Sequence, residues 1–285
     1  MSDIKSVAVI GAGTMGSGIA QVAASAGLDV RIFDAQPGAL EKAAQKNSES
    51  LERLAKKGAL TAQQAADTLA RIVSSTDFSE AADAEIVIEA VFEDENVKRE
   101  LWQKLDAICS STAIFATNTS SISITQLASA VRRPERFIGM HFFNPVPVMK
   151  LIEVIRGNRT GDETLTRTIE LSKRLGKTPI EANDYPGFVS NRVLMPLINE
   201  AIFAVYEGVA KPEAIDEIFK LGMAHPMGPL ALADFIGLDV CLNICEVLQK
   251  GFGDPKYRPC PLLRQMVAAG KLGRKSGRGF YEYKS

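Results

Sequence analysis

Two spacings of apolar residues share the first two thirds of the chain. Short unbroken apolar runs, such as Val7-Ala8-Val9-Ile10, read as strands buried on both faces. Between them, apolar residues recur three and four apart, the signature of helices with one buried side. The pattern predicts strands at 7–10, 30–33, 71–74, 85–89, 113–116, 137–140, 151–155 and 178–181. It predicts helices at 14–26, 38–57, 61–70, 96–108, 124–131 and 162–175, with Gly58 breaking the second from the third into a hairpin. Alternating strands and helices imply a mostly parallel sheet with helices on both faces.

The pattern changes at Asn183-Asp184-Tyr185-Pro186-Gly187. Asp184 suits a helix cap there and Pro186 a first turn. Beyond it only helical spacing continues, at 188–207, 211–221, 230–251 and 261–269. Pro196 falls inside the first of these and is expected to bend it. The chain is therefore expected to be α/β: a Rossmann-type doubly wound sheet over 1–184, carrying the helical hairpin as an insertion, followed by an all-helical C-terminal domain over 185–285.

Charge and cysteine usage narrow the function. With 33 basic against 34 acidic residues, nothing favours a nucleic-acid or acidic-membrane partner. No apolar run approaches the length of a membrane span, and the first strand starts too early to leave room for a leader, so a cytoplasmic location is the default. The four cysteines form no C-x-x-C pair. With only His141 and His225 beside them, no metal site is expected and reduced thiols packed in a core are.

The chemistry begins at the first strand. It runs into Gly11-Ala12-Gly13-Thr14-Met15-Gly16, a helix follows, and the next strand stops at Asp34. This strand, G-x-G-x-x-G, helix, strand, acid order suits a dinucleotide. Gly11 permits a tight turn, Gly13 lets backbone approach a pyrophosphate, and Gly16 brings the helix close to the strand. The helix N-terminus, at Thr14 and Met15, offers N–H groups to phosphate, and Asp34 can accept both ribose hydroxyls. A tight βα turn in some other doubly wound sheet would look similar in the loop alone.

Further polar residues fall just after predicted strands, where such sheets place their sites. These are Glu93, the run Asn118-Thr119-Ser120-Ser121, and His141-Phe142-Phe143-Asn144-Pro145. Glu153 lies in the next strand, and Asn191 near the start of the first C-terminal helix. An imidazole exchanges protons near neutral pH, so His141 suits taking a proton from an alcohol as hydride leaves, with Glu153 as its partner. Blander readings exist for each: a core histidine, a capping serine, a turn at Asn144, an edge carboxylate. His225 most simply shapes a loop, and the basic stretch 271–278 a solvated surface.

Taken in order, these segments resemble the L-3-hydroxyacyl-CoA dehydrogenases, in particular the bacterial enzymes of 3-hydroxybutyryl-CoA. The resemblance spans essentially the whole chain. It rests on the glycine loop, Asn118-Thr119-Ser120-Ser121, Gly139-Met140-His141-Phe142-Phe143-Asn144-Pro145, Pro186-Gly187-Phe188-Val189-Ser190-Asn191-Arg192, and the closing Leu272-Gly273-Arg274-Lys275-Ser276-Gly277-Arg278-Gly279-Phe280-Tyr281. It implies an NAD-dependent, reversible oxidation of an (S)-3-hydroxyacyl-CoA, with 3-hydroxybutyryl-CoA and acetoacetyl-CoA as the short-chain pair, a step used in fatty acid metabolism among other routes. It also implies His141 as general base with Glu153 behind it, and Ser120 and Asn191 holding the substrate. Glu93, Lys98, Asn118 and Asn144 fall on the cofactor side, and Ser50, Lys56 and Lys57 of the hairpin on the coenzyme A side. It implies a homodimer, with the helical domain serving substrate and pairing. A dehydrogenase of a free hydroxy acid or sugar acid, and a dinucleotide-binding protein with a dead site, remain as alternatives. The hairpin cations speak against the first and the intact Ser120, His141, Glu153, Asn191 set against the second.

Overall fold

The computed structural model describes residues 4–283, which divide into two compact units, one up to Asp184 and the other from Tyr185 onward. The first is built on an eight-stranded sheet in the order β3-β2-β1-β4-β5-β6-β7-β8. Its strands are β1 (Ser6–Ile10), β2 (Asp29–Phe33), β3 (Ile72–Ser75), β4 (Ile86–Glu89), β5 (Ile114–Thr117), β6 (Phe137–Phe142), β7 (Leu151–Arg156) and β8 (Thr178–Asn183). The helices are α1 (Thr14–Ser25), α2 (Pro37–Lys56), α3 (Ala62–Ala70), α4 (Glu95–Ile108), α5 (Ile124–Ala128) and α6 (Asp162–Arg174).

Alternation along each strand divides the core in two. Val7, Val9, Ile86, Ile88, Ile114, Ala116 and Ile138 join Ile19 of α1 and Leu171 of α6 in one cluster. Phe115 and Phe137, displaced by one residue, point to the other face and enclose Trp102 of α4, with ring centroids at 5.1 and 4.9 Å. The central strands β1, β4, β5, β6 and β7 are buried on both faces, which is why they read as apolar runs rather than alternating ones, whereas the edge strands β3 and β8 are largely exposed.

From β3 through β6 every pairing is parallel, so the carboxyl ends of β1, β4, β5 and β6 share one edge. The exception is β7, which pairs antiparallel with β6, while β8 returns parallel to β7. Only residues 143–150 join β6 to β7. A parallel crossover needs a dozen residues or more, so the chain turns back instead.

The second unit holds α7 (Ser190–Tyr206), α8 (Pro212–Gly222), α9 (Pro229–Ile236), α10 (Leu238–Phe252) and α11 (Pro261–Ala268). Met195, Ile198, Ile202, Leu230, Leu238, Cys241, Cys245, Leu248 and Leu263 form its core. The single helix expected over 230–251 is two. Gly237 has φ +105, a value that ends α9 and starts α10 in a new direction. Pro196 stays within an unbroken α7. The first helix begins at Ser190 rather than 188, because Phe188 has φ +49 and lies outside helical space.

Asp184 suits a cap for the first C-terminal helix by sequence, but its carboxylate caps α5 instead, accepting from Thr125 N at 2.7 Å, Ser123 Oγ at 2.8 Å and Ile124 N at 3.0 Å. Of the basic stretch 271–278, Arg274, Lys275 and Arg278 are exposed, and the segment beyond it is tied to the buried Asp234, which accepts from Phe280 N, Tyr281 N and the Tyr283 hydroxyl, each at 3.0 Å. Asp216, also buried, accepts from Leu230 N, Ala231 N and the Tyr281 hydroxyl. All four cysteines are buried free thiols. Burial pushes Cys109 up to about 11 and Cys241 and Cys245 up to about 12. No helix among the described residues is long and apolar enough to cross a membrane.

Candidate active site

The glycine loop joins β1 to α1 at the shared carboxyl edge. Gly11 has φ +104, and a Cβ there would stand 2.6 Å from the Ala90 carbonyl oxygen; one at Gly16 would strike the Gly11 carbonyl. Both positions therefore exclude a side chain, whereas the space in front of Gly13 is open. No side chain caps α1 and its first turn carries no acid, so the N–H groups about Thr14 and Met15 meet no carboxylate of the helix's own. Asp34 follows β2, and its carboxylate accepts from Ala12 N at 2.8 Å and Gln36 N at 2.9 Å. A cleft of about 680 Å³ runs past Gly11, Gly13, Asp34, Phe78, Phe92 and Leu101. Open backbone at Gly13, an acid-free helix end and a carboxylate held beside the loop fit the phosphates and ribose of a dinucleotide.

His141 is the fifth residue of β6, and the antiparallel register sets it directly opposite Glu153 of β7. That register, rather than sequence distance, brings the two together: His141 Nδ1 lies 2.8 Å from Glu153 Oε2. Both are buried, and the imidazole packs on Phe143 with centroids 4.7 Å apart. A carboxylate on Nδ1 fixes the ring's orientation and favours the tautomer that leaves Nε2 able to accept a proton. Asn118, at the end of β5, accepts from Phe142 N at 2.9 Å, which ties the serine loop to the strand bearing His141.

The serine loop is organised by Glu93. Its Oε1 accepts from Thr119 Oγ1 at 2.5 Å, Ser120 N at 2.9 Å, and Ser121 N and Oγ at 3.3 Å; Ser120 Oγ lies 3.4 Å away. Burial raises the Glu93 pKa, but the Lys98 ammonium and the hydrogen bonds from Thr119 and Ser120 outweigh it and hold the carboxyl below the usual range. Lys98 itself is enclosed, with Nζ at 2.5 Å from Glu89 and 3.2 Å from Glu93. Ser120 does not cap α5; Ser123 does, accepting from Gln126 N.

The remaining candidates fall on a loop, on the helical hairpin and in the helical unit. Asn144 is exposed on the loop after β6. Ser50 lies on α2, while Lys56 ends it and Lys57 follows as its C-cap; both lysines are exposed, and their side chains form no hydrogen bond or ion pair among the described residues. Asn191 occupies the first turn of α7 in the helical unit. Two residues that the sequence did not single out matter to the site. By sequence Glu89 is only the end of a strand, and Thr119 one polar residue among several. Strand-end position beside two functional loops was the one signal available for Glu89.

This dinucleotide cradle, with a histidine–carboxylate pair on the same sheet edge, defines a dehydrogenase-type site. Residues 6–185 match the model of the 3-hydroxyacyl-CoA dehydrogenase NAD binding domain, and residues 187–283 that of the 3-hydroxyacyl-CoA dehydrogenase C-terminal domain. The chain belongs to the 3-hydroxyacyl-CoA dehydrogenase family. It is 59% identical over 281 residues to a probable 3-hydroxybutyryl-CoA dehydrogenase of Bacillus subtilis, covering 99% of this chain and 98% of that protein. It is 52% identical to the 3-hydroxybutyryl-CoA dehydrogenase of Bradyrhizobium diazoefficiens, covering 99% and 96%. The crystal structure of (S)-3-hydroxybutyryl-CoA dehydrogenase from Ralstonia eutropha superposes with a TM-score of 0.97 at 53% identity, covering 99% of this chain and all of that one.

Proposed function

We propose that the protein is an NAD-dependent dehydrogenase of (S)-3-hydroxyacyl-CoA esters, interconverting 3-hydroxybutyryl-CoA and acetoacetyl-CoA. The observation that carries this reading is the buried His141–Glu153 pair at 2.8 Å on the sheet edge that also bears the glycine loop. The names of the similar proteins supply the substrate class.

The nicotinamide, when bound, accepts or gives the hydride at the substrate's C3. The chain's own groups manage the proton and the geometry. In oxidation His141 Nε2 takes the proton of the 3-hydroxyl, and Glu153 stabilises the imidazolium that results. In reduction the imidazolium returns that proton to the forming alkoxide. Ser120 donates its hydroxyl to the same oxygen, and Asn191 is assigned a substrate-holding amide. Thr14 and Met15 at the α1 N-terminus would hold the pyrophosphate and Asp34 the ribose, with Glu93, Asn118 and Asn144 on the nicotinamide side and the enclosed Lys98 acting there through Glu93. Ser50, Lys56 and Lys57 hold the coenzyme A end.

NADH consumption with acetoacetyl-CoA, compared with free acetoacetate, tests the reading. Turnover of the thioester and not of the free acid is expected. Equal or faster turnover of the free acid would move the protein to the free hydroxy acid class. We further propose that two copies pair through the helical unit. Exposed Val193 on α7 supports this, as do Ile218 and Leu221, which share a face of α8. Sedimentation showing only a ~31 kDa species at micromolar concentration would contradict it.

A further inference from the structure

Glu89 is the last residue of β4, fully enclosed, and stands in register between Ile10 of β1 and Thr117 of β5. Those two strands lead into the glycine loop and the serine loop. Every polar group around the carboxylate is engaged. Oε1 accepts from Lys98 Nζ at 2.5 Å and Val91 N at 2.8 Å, and Oε2 from Thr117 Oγ1 at 2.7 Å. The ammonium of Lys98 reaches on to Glu93 at 3.2 Å, and Glu93 accepts from the Thr119 hydroxyl and from the backbone N–H and hydroxyl of Ser120 and Ser121.

An acid–base–acid chain therefore runs through the interior from a sheet strand to the serine loop. Buried ion pairs add little net stability, because desolvation consumes most of the Coulombic gain. What they do supply is direction. A fixed carboxylate sets where the ammonium lies, and that sets where Glu93 can place its oxygens. An apolar pair of equal volume could fill the space but could not aim Glu93.

We infer that Glu89 is a positioning residue for the reaction, acting through Lys98 and Glu93 to fix the Ser120 hydroxyl. The inference rests on the proposed role of Ser120 toward the substrate oxygen. Glu89→Gln keeps the shape and removes the charge. Lys98 is then left with Glu93 as its one carboxylate partner and draws it off the loop.

The test is a cycle of full-length variants, Glu89→Gln, Ser120→Ala and both together. It is read as kcat with acetoacetyl-CoA and NADH, with thermal unfolding alongside. Glu89→Gln is expected to lower kcat roughly tenfold or more, since small displacements of a reacting group are costly. In the Ser120→Ala background the same change is expected to cost less than about twofold, because coupled sites do not add. An equal fold-loss in both backgrounds would overturn the inference and make Glu89 a general structural residue. Wild-type kcat in Ser120→Ala would overturn the assignment of Ser120 itself, a separate result. Should Glu89→Gln not fold, Thr117→Val takes its place in the cycle, removing one hydrogen bond and no charge. A loss of about threefold that vanishes without Ser120 is then expected, and an additive loss contradicts the inference.

Discussion

Cofactor choice is proposed to turn on a single side chain, Asp34. Its carboxylate is held at the glycine loop by Ala12 N and Gln36 N, so it cannot swing away from an entering ribose. Free ribose hydroxyls would donate to it, whereas a 2′-phosphate would meet it as a like charge. Arg31, the nearest cation along β2, cannot compensate, because it is turned to the Glu80 carboxylate at 3.4 Å and the Glu80 carbonyl at 2.9 Å. NADH should therefore be preferred over NADPH on the order of tenfold or more in kcat/KM. Asp34→Ala should narrow the gap while weakening both, since the loop loses its bond at Ala12. Equal kcat/KM with NADPH in the unmodified protein would contradict this account. Glu93 carries a second prediction. Its pKa lies below the usual carboxylate value when folded, so its stabilising contribution is full above the unfolded value and is lost as pH falls through the folded one. In melting curves from pH 6 down to pH 3, Glu93→Gln should be less stable than wild type at the upper end and converge on it toward the lower. A constant gap across that range would mean that Glu93 is not held as an anion by Lys98.

At the scale of elements, the α2–α3 hairpin presents the two cations proposed for coenzyme A. Lys57 sits at the C-cap of α2, where a lysine also complements the helix dipole. If it meets the coenzyme's phosphates, Lys57→Ala should raise KM for acetoacetyl-CoA several-fold at low salt with kcat little changed, since binding remote from the reacting carbon is lost. Unchanged KM would leave it a solvated helix end. The strands and helices were mostly legible because a strand buried on both faces and a helix buried on one leave distinct apolar spacings. The failures have physical causes. Gly237 broke a helix that read as continuous because the apolar spacing carries on across it, with Leu230, Ala233, Cys241 and Leu248 all in one core. The reversal at β7 was legible in principle, in the short link 143–150, yet a run of buried strands by itself carries no direction. Buried acids were not legible. Glu89, Asp216 and Asp234 have the residue types of solvated positions, and only tertiary structure supplies their Lys98, Tyr281 and Tyr283 partners. The pairing of His141 with Glu153 could be suggested from chemistry, but it became a contact only through an antiparallel register.

For the molecule as a whole, one sheet edge does most of the assembling. Parallel strands β1, β4, β5 and β6 deliver the glycine loop, Glu93, the serine loop and His141 to the same side, although they are far apart in sequence. The structural acids are spent on the frame: Asp184 on α5, Asp216 and Asp234 on the closing segment. In the proposed mechanism His141, with Glu153 behind it, is the proton-exchanging group at this edge. The most direct measurement is turnover of acetoacetyl-CoA with NADH in His141→Ala, alongside fluorescence titration of NADH binding. The account predicts kcat lower by roughly 10²–10⁴, with NADH affinity nearly unchanged because the glycine loop and Asp34 are untouched. Near-normal kcat in that variant would contradict it.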